Sequence, residues 1–192
     1  MKIVSAEFVT GAVNASQYPS LGVPEFAFYG KSNTGKSSII NMIVNRQGLV
    51  KTGAKPGMTQ QINFFLINEK FCLADLPGIG YSVLPGAVRK SLGPMVAEYC
   101  TGRDSLRTIF YLLDLRRKVG GDELETLRLL GERGTKVAIV GTKADKLGSN
   151  QLRETVKKWN QLFEPAPGGI FITSSLNRTG RDALLSYISS EL

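Results

Sequence analysis

The chain has 192 residues, 42% hydrophobic and 21% charged, with a formal net charge of +8; that suits one domain with a sizeable core and is too short for two ordinary ones. It contains no histidine, and Cys72 and Cys100 lack metal-ligand spacing, which excludes His-based triads, His-ligated zinc and a disulfide framework. No apolar run reaches the roughly 18 residues that cross a bilayer and no signal-peptide stretch opens the chain, so a cytoplasmic setting with no membrane partner is expected, and the positive charge favours a polyanion, RNA before membrane.

In chain order, residues 1–24 read as an N-terminal extension packed on the same domain. A buried strand is predicted over residues 26–29 and a helix over 36–45. Strands at 62–67 and 71–74 are separated only by "NEK", too short for a helix, so they form an antiparallel hairpin at one edge. A helix over 85–99, a strand at 108–113 and a helix over 122–133 follow. The pattern closes with a strand at 137–140, a helix over 150–163, a strand at 170–173 and a helix over 181–192. Strands alternating with helices indicate βαβ units. The expected fold is α/β, a mixed six-stranded, mostly parallel sheet with helices on both faces and one antiparallel edge strand, forming one domain over 1–192. Ligands of such folds bind outside the carboxyl ends of the strands.

Unusual polar residues sit at those ends. "GKSNTGKS", Gly30 to Ser37, fits G-x-x-x-x-G-K-[ST] between a strand and a helix, the context that the motif requires. Gly30 and Gly35 permit torsions and close approach that a side chain would block. Successive N–H groups then form an anion nest at the positive end of the helix. Lys36 reaches the β- and γ-phosphates, and the Ser37 hydroxyl ligates Mg²⁺.

A phosphate loop alone fits an ATPase, a small-molecule kinase or a GTPase; two later stretches discriminate. "CLADLPGIG" places Asp75 at the end of an apolar strand, where its carboxylate holds Mg²⁺ through water while the Gly78 N–H meets the γ-phosphate. "GTKADKL" closes the strongest apolar strand. Asp145 there offers two oxygens to the paired donors of guanine, which adenine lacks, and Lys143 lays its stem across the purine. Such a pairing rejects the wrong base by a factor on the order of 10⁴. Thr173 to Ser175 follow the last strand and present backbone N–H groups to guanine O6. Between the first helix and the hairpin, Gly53, Pro56 and Gly57 mark a loop. Thr59, just before a strand, is placed to bind Mg²⁺ when the γ-phosphate is present and to release it after hydrolysis.

The stretches "GKSNTGKSSIIN", "KTGAKPGMTQQINFF", "ADLPGIGYSVLP", "LLDLR" and "GTKADKL", with "TSS" and a helical C-terminus, resemble the EngB (YihA/YsxC) family of bacterial ribosome-biogenesis GTPases, in the TRAFAC class of P-loop G proteins. The resemblance runs from about Phe26 onward. It implies a Ras-like G domain, GTP binding with slow hydrolysis to GDP and phosphate, and a role in large-subunit assembly. Carried over by position, it assigns the phosphate loop to Gly30, Lys31, Ser32, Asn33, Thr34, Gly35, Lys36 and Ser37. The first switch falls on Gly57, Met58, Thr59, Gln60 and Gln61, and the second on Asp75, Leu76, Pro77 and Gly78. The base site falls on Thr142, Lys143, Ala144 and Asp145 with Thr173, Ser174 and Ser175. Mg²⁺ goes to Ser37, Thr59 and Asp75, and catalysis to Lys36, Thr59 and Gly78. Asn33 matches the asparagine that helps hold K⁺ beside the phosphates in potassium-stimulated relatives. The implied partners are guanine nucleotide and a large-subunit precursor of rRNA and ribosomal proteins, bound by a monomer.

Three positions depart from the family pattern: Lys31 replaces a common arginine, "RRKVG" replaces R-H-x-P, and Leu92 stands where tryptophan is frequent. They touch the partner-facing surface rather than the nucleotide site. Ile79 follows the second-switch glycine, where Ras-like proteins carry a water-orienting glutamine, so intrinsic hydrolysis is expected to be slow. Two rivals remain at this level. A metabolic P-loop enzyme leaves T-K-A-D unexplained. A GTP-stabilised RNA- or protein-binding module makes hydrolysis incidental.

Overall fold

A seven-stranded sheet organises the residues that the computed structural model describes, namely 1–50, 61–78, 93–132, 134–163 and 166–192. In chain order the elements are β1 (Ala6–Ala12), β2 (Glu25–Gly30), α1 (Lys36–Val44), β3 (Ile62–Ile67), β4 (Phe71–Asp75) and α2 (Pro94–Gly102). They continue with β5 (Leu106–Asp114), α3 (Gly121–Glu132), β6 (Lys136–Thr142), α4 (Ser149–Leu162), β7 (Ile170–Ile172) and α5 (Arg181–Ser190). The strand order is β1-β3-β4-β2-β5-β6-β7. From β4 to β7 every pairing is parallel, and antiparallel pairing is confined to the β1–β3–β4 edge.

The α/β class and the mixed, mostly parallel sheet agree with the expectation. The strand count does not: β1 is a seventh strand, outside β3. Its sequence "AEFVTGA" lacks the two-residue alternation of a half-buried strand, because an edge position exposes Glu7, Phe8 and Val9 in a row. A register shift between Phe8 and Thr10 breaks the alternation further. Helix α2 begins at Pro94, a residue preorganised for the first helical turn. The predicted start at residue 85 lies outside the described residues, as does Arg133 at the predicted end of another helix.

Alternation along β2 builds both layers of the core. Phe26 and Phe28 face α1 and α5, packing with Phe110, Val140, Ile39, Ile43, Leu184 and Ile188. Ala27 and Tyr29 face the other way, towards Tyr99 of α2, Leu130 of α3 and Trp159 of α4. With both faces covered, the sheet can offer ligands only its ends.

The amino end of β2 is closed. Glu25, 1% exposed, accepts the Tyr99 hydroxyl at 2.8 Å and the Arg103 Nε at 2.9 and 3.0 Å. Arg103 also donates to the Pro19 carbonyl and lies over the Tyr18 and Phe64 rings, 5.6 and 5.8 Å from their centroids. A buried carboxylate is tolerated when its oxygens are bonded in this way. Beneath the sheet, Arg181 of α5 donates to the Met42 and Ile43 carbonyls at 2.8 and 2.9 Å. It thereby satisfies the carboxyl end of α1.

Candidate nucleotide site

At the carboxyl rim, β2 passes into α1 through residues 30–37. Gly30 has φ +151°, and a Cβ there would lie 2.6 Å from the Leu112 carbonyl oxygen, so only glycine fits. Asn33 and Gly35 also take positive φ, 64° and 102°, which turns the loop tightly. Thr34, buried, donates its hydroxyl to the Lys31 carbonyl at 2.7 Å. Side chains from β6 and its following loop take the carbonyls on the outside of the turn: Thr142 Oγ1 donates to Thr34 O and Lys143 Nζ to Asn33 O, both at 2.7 Å. Helix α1 then starts at Lys36 with no side-chain cap among the described residues and no acidic residue in its first turn. Its positive end is left for an anion.

The second motif lies against this loop. β4 runs parallel to β2 with Asp75 level with Phe28, and Leu76 N donates to Phe28 O at 3.0 Å. A Cβ on Gly78 would come within 3.0 Å of both Lys36 Nζ and Ser32 Oγ, so the glycine lets the backbone rest on the phosphate loop. Pro77 is half-buried and Leu76 buried. Asp75 is 9% exposed, and its Oδ1 has no hydrogen-bond partner among the described residues. Burial pushes its carboxyl up to about 6, against the pull of the Lys36 ammonium. Burial likewise lowers the Lys36 pKa, with Asp75 opposing. A buried carboxylate with an open oxygen, together with a serine hydroxyl at the start of α1, is a donor set that fits a hard divalent cation such as Mg²⁺.

The third motif closes β6. Thr142, 1% exposed, also donates to Leu113 O at 3.2 Å. Lys143 holds φ +63°, and Ala144 N donates to Thr173 O at 3.1 Å. The Asp145 Oδ1 accepts the Ser174 hydroxyl at 2.5 Å. That bond, helped by Lys146, holds the Asp145 carboxyl below its ordinary pKa. Thr173 Oγ1 donates to Gly141 O at 2.8 Å, while Ser175 is exposed at the rim. The structure therefore brings together the phosphate loop, residues 75–78, the T-K-A-D loop and residues 173–175. Gly57, Met58, Thr59 and Gln60 lie outside the described residues, as do Ile79 and Leu92. Gln61 is exposed at the start of β3, its Nε2 donating to Asn63 Oδ1 at 2.8 Å.

Two charged groups at the rim escaped the motif reading. Asp114 closes β5 as Asp75 closes β4. Its oxygens accept Arg116 N at 3.1 Å, Arg116 Nε at 2.9 Å, Arg116 Nη2 at 2.7 Å and Lys143 Nζ at 3.0 Å. Glu123, in the first turn of α3, pairs with Lys31 at 2.6 Å. An acidic residue ending a buried strand was the available signal for the first. Nothing in the spacing pointed to the second.

A phosphate loop between a central parallel strand and a helix, in a sheet of this order, defines a P-loop α/β nucleotide-binding protein. Residues 25–143 match the family described as 50S ribosome-binding GTPase. Over 212 residues, covering both chains completely, the sequence is 44% identical to the probable GTP-binding protein EngB of Treponema denticola. It is 40% identical to the Clostridium perfringens protein of the same description, covering 100% of this chain and 98% of that one. For the Porphyromonas gingivalis protein the identity is 42%, with 99% and 96% covered. Among solved structures, a probable GTP-binding protein engB superposes with a TM-score of 0.66 at 20% identity, over 86% of this chain and 97% of that one. A single-site variant of Aquifex aeolicus Era bound to GDP·AlF4⁻ gives 0.67 at 20% identity, over 88% and 57%. The chain belongs to the EngB family of GTP-binding proteins and is a GTPase.

Proposed function

We propose that the rim described above is the GTP site and that the protein is a slow, Mg²⁺-dependent switch in assembly of the large ribosomal subunit. The observation that carries the site is the Oδ1 of buried Asp75, unpartnered among the described residues and close enough to Lys36 for the two charges to interact. The family description, 50S ribosome-binding GTPase, and the net charge of +8 support the partner.

Mg²⁺, held by Ser37, by Asp75 through water and by Thr59 when GTP is bound, would neutralise charge on the β- and γ-phosphates. Lys36 and the N–H groups of the phosphate loop stabilise charge on the γ-phosphoryl oxygens as an attacking water displaces GDP. Asp145 and Lys143 hold the guanine, and residues 173–175 close over its O6. Isoleucine at position 79 cannot orient the attacking water, so hydrolysis is slow until K⁺ at Asn33 or a group from the partner completes the site. The whole chain acts as one G domain, in the cytoplasm and as a monomer.

Sedimentation with 50S particles tests this reading. With a non-hydrolysable GTP analogue the protein should co-sediment, and with GDP it should stay in the supernatant. Binding should weaken steeply between about 50 and 200 mM salt if phosphates are contacted. Equal binding in both nucleotide states would instead make GTP a structural ligand and hydrolysis incidental.

A further inference from the structure

We propose that Asp114 is a positioning residue for guanine-nucleotide binding: it locks Lys143 onto the phosphate loop. The inference rests on the nucleotide site assigned above and concerns a residue that contacts neither phosphate nor base.

The Asp114 side chain is 2% exposed, yet both its oxygens are occupied. Oδ1 takes two donors from Arg116, its backbone N–H and its Nε. Oδ2 takes Arg116 Nη2 and Lys143 Nζ. Burial alone would raise this carboxyl's pKa, but hydrogen bonds from Arg116 and Lys143 outweigh it and hold the group far below the usual carboxylate range.

Lys143 is the hinge of the arrangement. Its ammonium is shared between Asp114 Oδ2 at 3.0 Å and Asn33 O at 2.7 Å, so a single nitrogen joins β5, the base loop and the phosphate loop. Its backbone has φ +63°, a conformation that costs a non-glycine residue about 1 kcal/mol or more and persists only where the surroundings over-determine it. Asp114 fixes the ammonium end of this residue from a buried strand end.

A double-mutant cycle in the full chain tests this. Asp114→Asn, Lys143→Met and the double variant are titrated calorimetrically with GDP and with a non-hydrolysable GTP analogue in Mg²⁺, and hydrolysis is followed over a range of GTP concentrations. Asp114→Asn should weaken both ligands equally, by about tenfold, the loss of one charge-assisted contact. KM should rise with kcat held within about twofold, as for an interaction equal in ground and transition states. The double variant should bind no more weakly than Lys143→Met, because Asp114 acts through Lys143. Unchanged affinity in Asp114→Asn, a fall in kcat without a rise in KM, or additive losses would each overturn the proposal. Unchanged affinity in Lys143→Met, which keeps an aliphatic stem, would overturn the role of the ammonium and of Asp114 with it, whereas a parent chain that binds neither ligand would overturn the nucleotide site itself. If Asp114→Asn does not fold, Asp114→Glu replaces it. The retained charge should keep affinity within about threefold of the parent, and a loss equal to that of Lys143→Met would overturn the assignment.

Discussion

Glu25 and Asp75 are both buried in the β2–β4 pair, at opposite ends of the sheet, and their surroundings differ completely. Glu25 lies level with Cys72, and its oxygens are bonded to Arg103 and Tyr99. Asp75 lies level with Phe28, has an oxygen with no partner among the described residues, and carries a carboxyl raised to about 6. The first is a closed contact that fastens residues 18–25 and α2 to the sheet. The second leaves one carboxylate oxygen open, beside a loop shaped for an anion. Both carboxylates are buried; what separates scaffold from site is whether the described residues bond both oxygens.

The largest effect is expected at the closed end. Arg103→Ala leaves Glu25 buried without its cation and should destabilise the protein by about 3–5 kcal/mol, a fall in Tm of about 10 °C. Affinity for GDP, measured well below the melting range, should be untouched, and a drop in affinity without a drop in Tm would break the comparison. At the open end the signs reverse. Asp75→Asn should weaken Mg²⁺–GTP binding by about 10–100-fold, the usual cost of losing a carboxylate that acts through metal-bound water. In EDTA and without nucleotide the same variant should melt above the parent at about pH 8, because an acid whose folded pKa is raised carries its penalty fully above that pKa. The penalty is shed as pH falls through the folded value towards the ordinary one near 4. The advantage of the variant should therefore shrink from about pH 7 to about pH 5; an advantage that does not change with pH would show that Asp75 is not a strained anion. The smallest effect belongs to Lys31, whose side chain is 36% exposed and paired with Glu123. Lys31→Ala should cost under about 1 kcal/mol, and a melting shift beyond a few degrees would place that pair with Glu25 rather than with the surface.

Much of the rim was legible in the sequence alone. Glycines interrupting apolar runs mark places where backbone must turn or approach closely, and Gly30, Gly35 and Gly78 do so here. Carboxylates ending buried strands stand out against apolar sequence, as Asp75 does. β1 was hidden because an edge strand with three exposed residues in succession carries no periodic signal. The Glu25–Arg103 pair spans 78 positions and Lys143–Asp114 spans 29; partners brought together by sheet order leave no trace in local spacing. Asp114 was visible as a residue in "LLDLR", but only the adjacency of β5 and β6 shows that it faces Lys143.

The bond from Arg181 to Met42 joins residues 139 positions apart. During translation α1 emerges early, yet the guanidinium that ends it and the apolar side chains of α5 that cover it arrive much later. A nascent chain halted before residue 181 would carry the whole phosphate-loop motif with its supporting helix unfinished and greasy on one side. Until α5 is made, that bare flank is the kind of surface through which unfinished chains stick to one another.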